Sequence, residues 1–272
     1  MTHIRLLVSD IDGTLVRTDK SLSDTVVTAI RRVAQLGVPV SLISARPPSG
    51  MYWIAEKIGL ECALGAFNGA TIFRPDGTII SASYLSPEQV ISALARLERP
   101  GIAPWLFADG QWYATTREGD HVPHEIKAAG LEPTICTDFS RLHDRVDKIV
   151  GVSDDHDLLV KIETEIQRDM AGSATVARSQ PYYLDVTAQG GNKGDGLKAL
   201  AAQFGTPLDA VAVLGDQNND LPMFALAGLS IAMGQAPRNV REAAGHVART
   251  NDDDGVADAI KRFVLPRIDG DE

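Results

Sequence analysis

Cysteine is scarce in this sequence, with two in 272 residues. That excludes a disulfide framework, and Cys62 and Cys136 are expected to be reduced, buried thiols in a cytoplasmic protein. Positive charge is also in short supply. Lys and Arg total 26 against 36 Asp and Glu, a net charge of −10. That balance argues against binding nucleic acid or an anionic membrane through a broad basic surface. It leaves room for a small phosphate, which needs only local positive groups. No apolar run approaches transmembrane length. Asp10 and Asp12 interrupt the N-terminal apolar stretch, so no signal peptide is expected. Internal repeats and low-complexity segments are absent. An apolar content of 44% and a charged content of 23% suit a globular chain of one large or two smaller domains.

The chain is organised around Ser9-Asp10-Ile11-Asp12-Gly13-Thr14-Leu15-Val16. It follows Ile4-Arg5-Leu6-Leu7-Val8, a run that reads as a buried strand. Two carboxylates and a glycine at a strand tip place charge where open α/β sheets bind ligands. One aspartate can attack an electrophile and form a covalent intermediate. The other can move protons, and its backbone carbonyl can join a metal site. Gly13 permits a turn closed to bulkier residues, and Thr14 can hold a carboxylate in place.

Ser23 is expected to cap a helix through Leu36, with Val26, Val27, Ile30, Val33 and Ala34 on one face. Val38–Ile43 then reads as a second buried strand, and a right-handed parallel crossover follows from that order. Ser44 therefore sits at the same end of the sheet as Asp10, where its hydroxyl can donate to a phosphate oxygen or serve the turn. A helix near 49–58 could add free amides there. A third apolar run, Cys62–Phe67, ends in Asn68-Gly69, and Asn-Gly itself favours a tight turn. A hairpin is expected from Thr71–Phe73 and Thr78–Ile80.

The pattern changes near Ser83. Ser86-Pro87-Glu88-Gln89 predicts a capped helix to Leu97. Strands follow near 105–108, 112–116, 148–152, 174–177 and 182–186, with a helix near 155–170. This antiparallel α+β pattern assigns residues 83–190 to an inserted second domain. His121-Val122-Pro123-His124-Glu125 invites a metal reading, but Pro123 argues against one regular helical face and no further ligand completes a site. Trp105, Trp112, Tyr182 and Tyr183 are expected mainly to pack the inserted domain.

Gly190-Gly191-Asn192-Lys193 marks the return to the first domain. A lysine at a helix N-terminus opposes the helix dipole unless an anion lies close. Strand Ala210–Leu214 then runs into Gly215-Asp216-Gln217-Asn218-Asn219-Asp220. A helix starting here would let Asp216 and Asp220, four apart, share one site, and hard oxygens suit magnesium. Strand Ser230–Met233 and helix Pro237–Ala244 continue the alternation. The acidic run Asp252–Asp254 reads as a solvated loop.

Taken together, the four segments resemble the motifs of the haloacid dehalogenase-like (HAD) phosphotransferases, in order along the whole chain. Asp10-Ile11-Asp12-Gly13-Thr14 resembles the nucleophile motif. Ser44-Ala45-Arg46 resembles the second, with Ala45 where glycine is common. Lys193 and Gly215-Asp216 to Asp220-Leu221-Pro222-Met223 resemble the third and fourth. Phe67-Asn68-Gly69-Ala70 and the Thr250–Val256 ending resemble the Cof-type branch with its type IIB cap. The resemblance implies an α/β fold: a Rossmann-like parallel core, residues 1–82 and 191–272, interrupted by an α+β cap. It implies magnesium-dependent hydrolysis of small phosphate monoesters, sugar phosphates first. Asp10 would be the nucleophile and Asp12 the acid and base. Ser44, Lys193 and Asn219 would bind the phosphoryl group, and Lys193 would also neutralise the nucleophile. Asp10, the Asp12 carbonyl and Asp216 would hold the metal with Asp220 in support, and Gly13, Thr14, Arg46 and Asn68 would brace the site. A phosphomutase and a non-enzymatic phospho-ligand-binding protein are the alternatives. The expected partner is a small phosphorylated metabolite; the sequence leaves the oligomeric state open.

Overall fold

The computed structural model describes residues 3–170 and 172–268. A five-stranded parallel sheet forms the base, with strands in the order His246–Val247, Leu229–Ala232, Val211–Gly215, Leu6–Ser9 and Val40–Leu42. Strands of this sheet are apolar on both faces because both are covered. Leu7, Ala212 and Leu214 face the cluster that holds Val26, Val27, Ile30 and Val33 of helix Asp24–Gln35. Leu6, Val8, Val211 and Val213 face the opposite cluster, with Leu197, Leu200 and Ala201 of helix Lys193–Gln203. Strand Leu6–Ser9 lies between Val211–Gly215 and the edge strand Val40–Leu42, and the chain leaves it to both sides. Its C-terminal end is thus the point where strand order reverses and ligands bind.

The local signals are met in several places. Ser23 accepts from the Val26 amide and caps the first helix. Ser86 and Gln89 form a complete capping box before Pro87–Leu97. The face of the first helix needs one correction. Ala34 is exposed, because the buried stripe ends at Val33. The third apolar run gives only strand Leu64–Ala66, which leaves the parallel sheet. It touches that sheet through a single bridge, Ile43 to Gly65, and pairs antiparallel with Thr71–Phe73, itself paired with Ile79–Ala82.

The inserted cap is a six-stranded mixed sheet built from residues 103–188. Period-2 alternation divides its faces. Leu106, Ile149 and Val186 pack beneath helices Pro87–Leu97 and His156–Asp169. Trp105, Phe107 and Val150 face the other way, toward the core, and share a cluster with Phe67 and Met51. The segment around Pro123 is helical after all, over Val122–Ala129. Proline falls in its first turn, where the missing N–H costs nothing. Cys62 and Cys136 are free and half-buried rather than buried. No described helix is long and apolar enough to cross a membrane.

Core and helix Lys193–Gln203 meet at two glycines. A Cβ on Gly196 would lie 2.7 Å from the Gly69 Cα and 2.6 Å from the Ile43 Cδ1. Backbone cannot yield there as a flexible side chain could, so overpacking dominates. Gly196→Val is expected to lower stability by roughly 1–3 kcal/mol, read as a lower urea midpoint. A midpoint equal to or above wild type would show that the contact is loose.

Candidate active site

Asp10 follows strand Leu6–Ser9 and is buried, at 4% exposed. Its amide continues the sheet by donating to the Leu214 carbonyl at 2.9 Å. Its Oδ1 accepts from the Lys193 Nζ at 2.6 Å, and the same Nζ donates to the Asp220 Oδ1 at 2.6 Å. Lys193 is the first residue of its helix and only 1% exposed. Asn192 caps that helix by accepting from the Gly194 and Asp195 amides, both at 3.0 Å. The ammonium is tolerated at a helix N-terminus because two carboxylates face it. Burial alone would push the Lys193 pKa down; the charges of Asp10 and Asp220 outweigh that and hold it above the usual range.

The Asp216–Asp220 turn is a 3-10 segment, Asn218–Asp220, running into a short helix, Leu221–Phe224. Asp220 ties this turn to itself. Its Oδ2 accepts from the Asp216 and Gln217 amides, each at 2.8 Å. Asp216 leans toward the first loop, where the Thr14 hydroxyl donates to its Oδ1 at 3.0 Å. Gly13 has φ of 76°, and a Cβ there would collide with the Asp216 carboxylate. The glycine is therefore needed twice, for the turn and for the close approach of the two loops.

Asp10, Asp216 and Asp220 each offer a carboxylate oxygen within 4.8 Å of the others, all buried. This all-oxygen donor set fits a hard divalent cation. Burial pushes the Asp10 carboxyl up to about 7 against the pull of Lys193, with Asp220 adding to the rise. Burial, then the charges of Asp10 and Asp220, raise Asp216 as well. Such raised carboxyls are what a cation at the cluster would relieve.

Asp12 sits apart from that cluster. Arg46 grips it with both arms, Nε to Oδ2 at 2.7 Å and Nη2 to Oδ1 at 2.8 Å, and Lys20 adds Nζ to Oδ1 at 2.6 Å. Burial would raise its pKa, but these two cations overcome it and hold the carboxyl well below the usual range. Arg46 also donates to the Gly50 carbonyl at 3.0 Å. Ser44 is buried beside the cavity, and its Oγ accepts from the Arg46 amide at 3.2 Å. Asn68, at φ 58°, accepts from the Asn219 side-chain amide at 3.1 Å, so these two distant residues meet. The tail brackets the loop after Asp12: Asp252 accepts from Thr18, and Asp254 from Arg17 and Ser23. The acidic run is exposed at Asp252 and Asp253, as expected, and it also braces this loop.

A cavity of about 50 Å³ lies over Asp10, Asp12, Ser44 and Lys193. The cap closes it with Glu125, Lys148, Ser179, Gln180 and Tyr183, with His124 beside them. None of Lys20, Glu125 or Lys148 was marked as a site residue by sequence spacing. Lys148 Nζ donates to the Ala45 carbonyl at 2.9 Å and lies 4.9 Å from the Phe107 ring centre. The available signal was Lys148 within strand Val146–Val152, which is apolar apart from Asp147 and Lys148. Trp105 and Trp112 pack in the cap as expected, edge-on at 4.9 Å, while Tyr183 reaches the cavity. His121 lies 2.8 Å from the Asp154 carboxylate and stacks on Tyr182.

Three comparisons bear on this site. A family model described as haloacid dehalogenase-like hydrolase matches residues 7–260. The HMP-PP phosphatase of Cronobacter sakazakii is 31% identical over 233 residues, 85% of either chain. A 5-amino-6-(5-phospho-D-ribitylamino)uracil phosphatase of Bacillus subtilis is 26% identical over 262 residues, 96% of either chain. Among solved structures, a haloacid dehalogenase-like hydrolase from Bacteroides thetaiotaomicron superposes with a TM-score of 0.82 at 28% identity, covering 96% of this chain and 99% of that one.

The raised carboxyls set a pH dependence. Asp10, Asp216 and Glu125 hold protons to higher pH folded than unfolded, so the metal-free chain should lose stability as pH climbs from about 4 through about 7. A cation needs them ionised and binds the folded state, which opposes that loss. Thermal unfolding at pH 5.5 and 7.5 checks this. The metal-free melting point should fall between the two, and added magnesium should raise it more at pH 7.5. An equal magnesium shift at both values would contradict the titration.

Proposed function

The chain belongs to the haloacid dehalogenase-like hydrolases, and from that membership we propose a magnesium-dependent sugar phosphatase working through an aspartyl-phosphate. Phosphoric monoester hydrolysis itself is common to its phosphatase relatives and is the activity of this Cof-type chain. The observation that carries the finer reading is the buried Lys193 ammonium shared by Asp10 and Asp220, beside Asp216.

In this reading the Asp10 carboxylate attacks phosphorus and the P–O bond to the alcohol breaks. Lys193 holds the attacking oxygen in place and meets the charge that builds on the phosphoryl oxygens. Ser44 and Asn219 supply neutral donors to the same oxygens. Asp10, the Asp12 carbonyl and Asp216 would hold magnesium, which would supply electrostatic stabilisation of phosphoryl charge when bound. Both Asp220 oxygens are already engaged, by Lys193 and by two amides, which favours a supporting role for it.

Asp12 moves the protons. Its ionised carboxylate is the form needed to take a proton from the water that resolves the aspartyl-phosphate. Giving a proton to the leaving oxygen requires one cation contact to loosen. Lys20 is the candidate, since its side chain is 14% exposed against 3% for Arg46. The ribityl phosphate in one relative's name is kin to a sugar phosphate and supports that substrate class here.

The test is phosphate release from a panel of sugar phosphates with and without magnesium. Wild type should turn over with magnesium and stop when the metal is chelated. Asp10→Asn should lose activity by several orders of magnitude while keeping its circular dichroism, because the amide keeps the shape and lacks the nucleophilic charge. Near-normal turnover by a folded Asp10→Asn chain would reject Asp10 as nucleophile.

A further inference from the structure

A second cavity, of about 390 Å³, opens between core and cap and shares no lining residue with the catalytic one. Its volume falls within the range of small-molecule sites. Core side chains Tyr52, Phe67 and Thr71 form one wall, and cap side chains Phe107, Arg145 and Asp147 the other. Tyr84, from the segment that joins core to cap, lines it as well.

A bulge explains why a carboxyl lies here. Strands Ala103–Ala108 and Val146–Val152 pair antiparallel, with Phe107 opposite Lys148 and Ala108 opposite Val146. Asp147 is the extra residue, and a bulge re-aims the side chains around it. Regular alternation would have put Asp147 beside Ile149, beneath the cap helices. Val146 packs there instead, and Asp147 lines the cavity.

Asp147 is 8% exposed. The Thr71 hydroxyl is its side-chain hydrogen-bond partner, and no cation among the described residues forms an ion pair with it. Arg145 bonds Asp109 at 3.0 Å and lies 5.7 Å from the Tyr84 ring centre. Burial raises the Asp147 carboxyl to about 7, against the charge of Arg145. Buried carboxylates are normally matched by an opposite charge, and here that charge is missing.

We propose that this cavity is a second ligand site, taking a small primary ammonium carried on an apolar body, with Asp147 as its counter-ion. The charged lining groups are two carboxylates, Asp109 and Asp147, and one guanidinium, Arg145. Asp109 and Arg145 answer each other, so Asp147 is the charge left over. A primary ammonium has three donors, enough for Asp147 and the Thr71 oxygen together. The rings suit the same guest, because aromatic faces attract cations. Those here already do so: Arg145 lies over Tyr84, and Lys148 lies 4.9 Å from the Phe107 centre and 5.9 Å from that of Phe67. Tyr52 and Tyr84 are exposed enough to border an entrance. With walls from both core and cap, a bound guest would hold the two together. It would do so one residue away from Lys148, which ties the cap to the Ala45 carbonyl.

The experiment is calorimetry on the full chain with 2-phenylethylamine, 2-phenylethanol and 3-phenylpropanoate, which share an apolar body and differ in charge. Wild type should bind the amine at least about tenfold more tightly than the alcohol, the scale of a hydrogen bond to a charged group. The carboxylate should bind more weakly than either. Asp147→Asn should cut amine affinity at least tenfold and leave the alcohol unchanged. Asp10→Asn should bind the amine as wild type does, because the catalytic cavity is separate. If Asp147→Asn does not fold, Tyr52→Leu takes its place, with amine affinity expected to fall about threefold, the scale of one exposed cation–ring contact. Absence of amine binding, equal affinity for amine and alcohol, or a loss in Asp10→Asn would overturn the proposal. So would unchanged amine affinity in a folded Asp147→Asn chain or, in its place, Tyr52→Leu.

Discussion

One buried ammonium holds this structure's working end together. Lys193 Nζ lies 2.6 Å from both Asp10 and Asp220, and all three side chains are almost fully enclosed. Removing ions from water is expensive, and such a cluster survives only when every charge is matched and the remaining lone pairs are occupied. Asp220 meets this by spending its second oxygen on two amides of its own turn, while the uncompensated charge shows in the raised carboxyls of Asp10 and Asp216. The cluster therefore fixes three segments at once: the tip of strand Leu6–Ser9, the start of helix Lys193–Gln203 and the Asp216–Asp220 turn. Gly13 and the Gly69–Gly196 approach are what let backbone come close enough for those carboxylates and that lysine to meet.

A second, separate charge group surrounds Asp12. Arg46 comes from the loop after strand Val40–Leu42, and Lys20 from the loop braced by the acidic tail. The two aspartates of one motif thus live in opposite electrostatic settings. Burial raises Asp10, while two cations outweigh burial at Asp12 and lower it. Under the proposed roles, a cation bound at the cluster would be what returns Asp10 to its ionised, nucleophilic form. The cap completes the enclosure from above, and Lys148 ties it to the Ser44 loop through the Ala45 carbonyl.

Much of this was legible in the chain. The Ser23 cap, the Ser86–Gln89 capping box and the buried strands carry local or short-period signals, and those elements appear close to where they were expected. The Asp10-to-Thr14 run, Lys193 and Asp216/Asp220 were also visible, since each breaks a local rule unless an ion or an opposite charge is near. What stayed hidden depends on partners far away in sequence. Lys20 looks like a surface cation until Asp12 is placed beside it, and the resemblance marked Arg46 as a brace without naming Asp12 as its partner. Lys148 and Glu125 reveal themselves only when the cap folds over the core. Pro123 misled because its position within the helix, first turn rather than interior, decides its effect. The acidic run is solvated as expected, but its bracing role was hidden because its partners, Arg17, Thr18 and Ser23, are some 230 residues earlier in the chain.

The direct test of the ammonium's role is the rate at which aspartyl-phosphate forms at saturating substrate, followed by rapid quench in wild type and Lys193→Met. Methionine keeps the bulk and removes the charge. If Lys193 holds Asp10 and meets the charge of the transferring phosphoryl group, the rate should fall about a hundredfold or more, the scale of losing one electrostatic stabiliser. Lys193→Arg should recover little, because a planar guanidinium does not replace a compact ammonium between two carboxylates. Intermediate formation at the wild-type rate in a folded Lys193→Met chain would contradict that role outright.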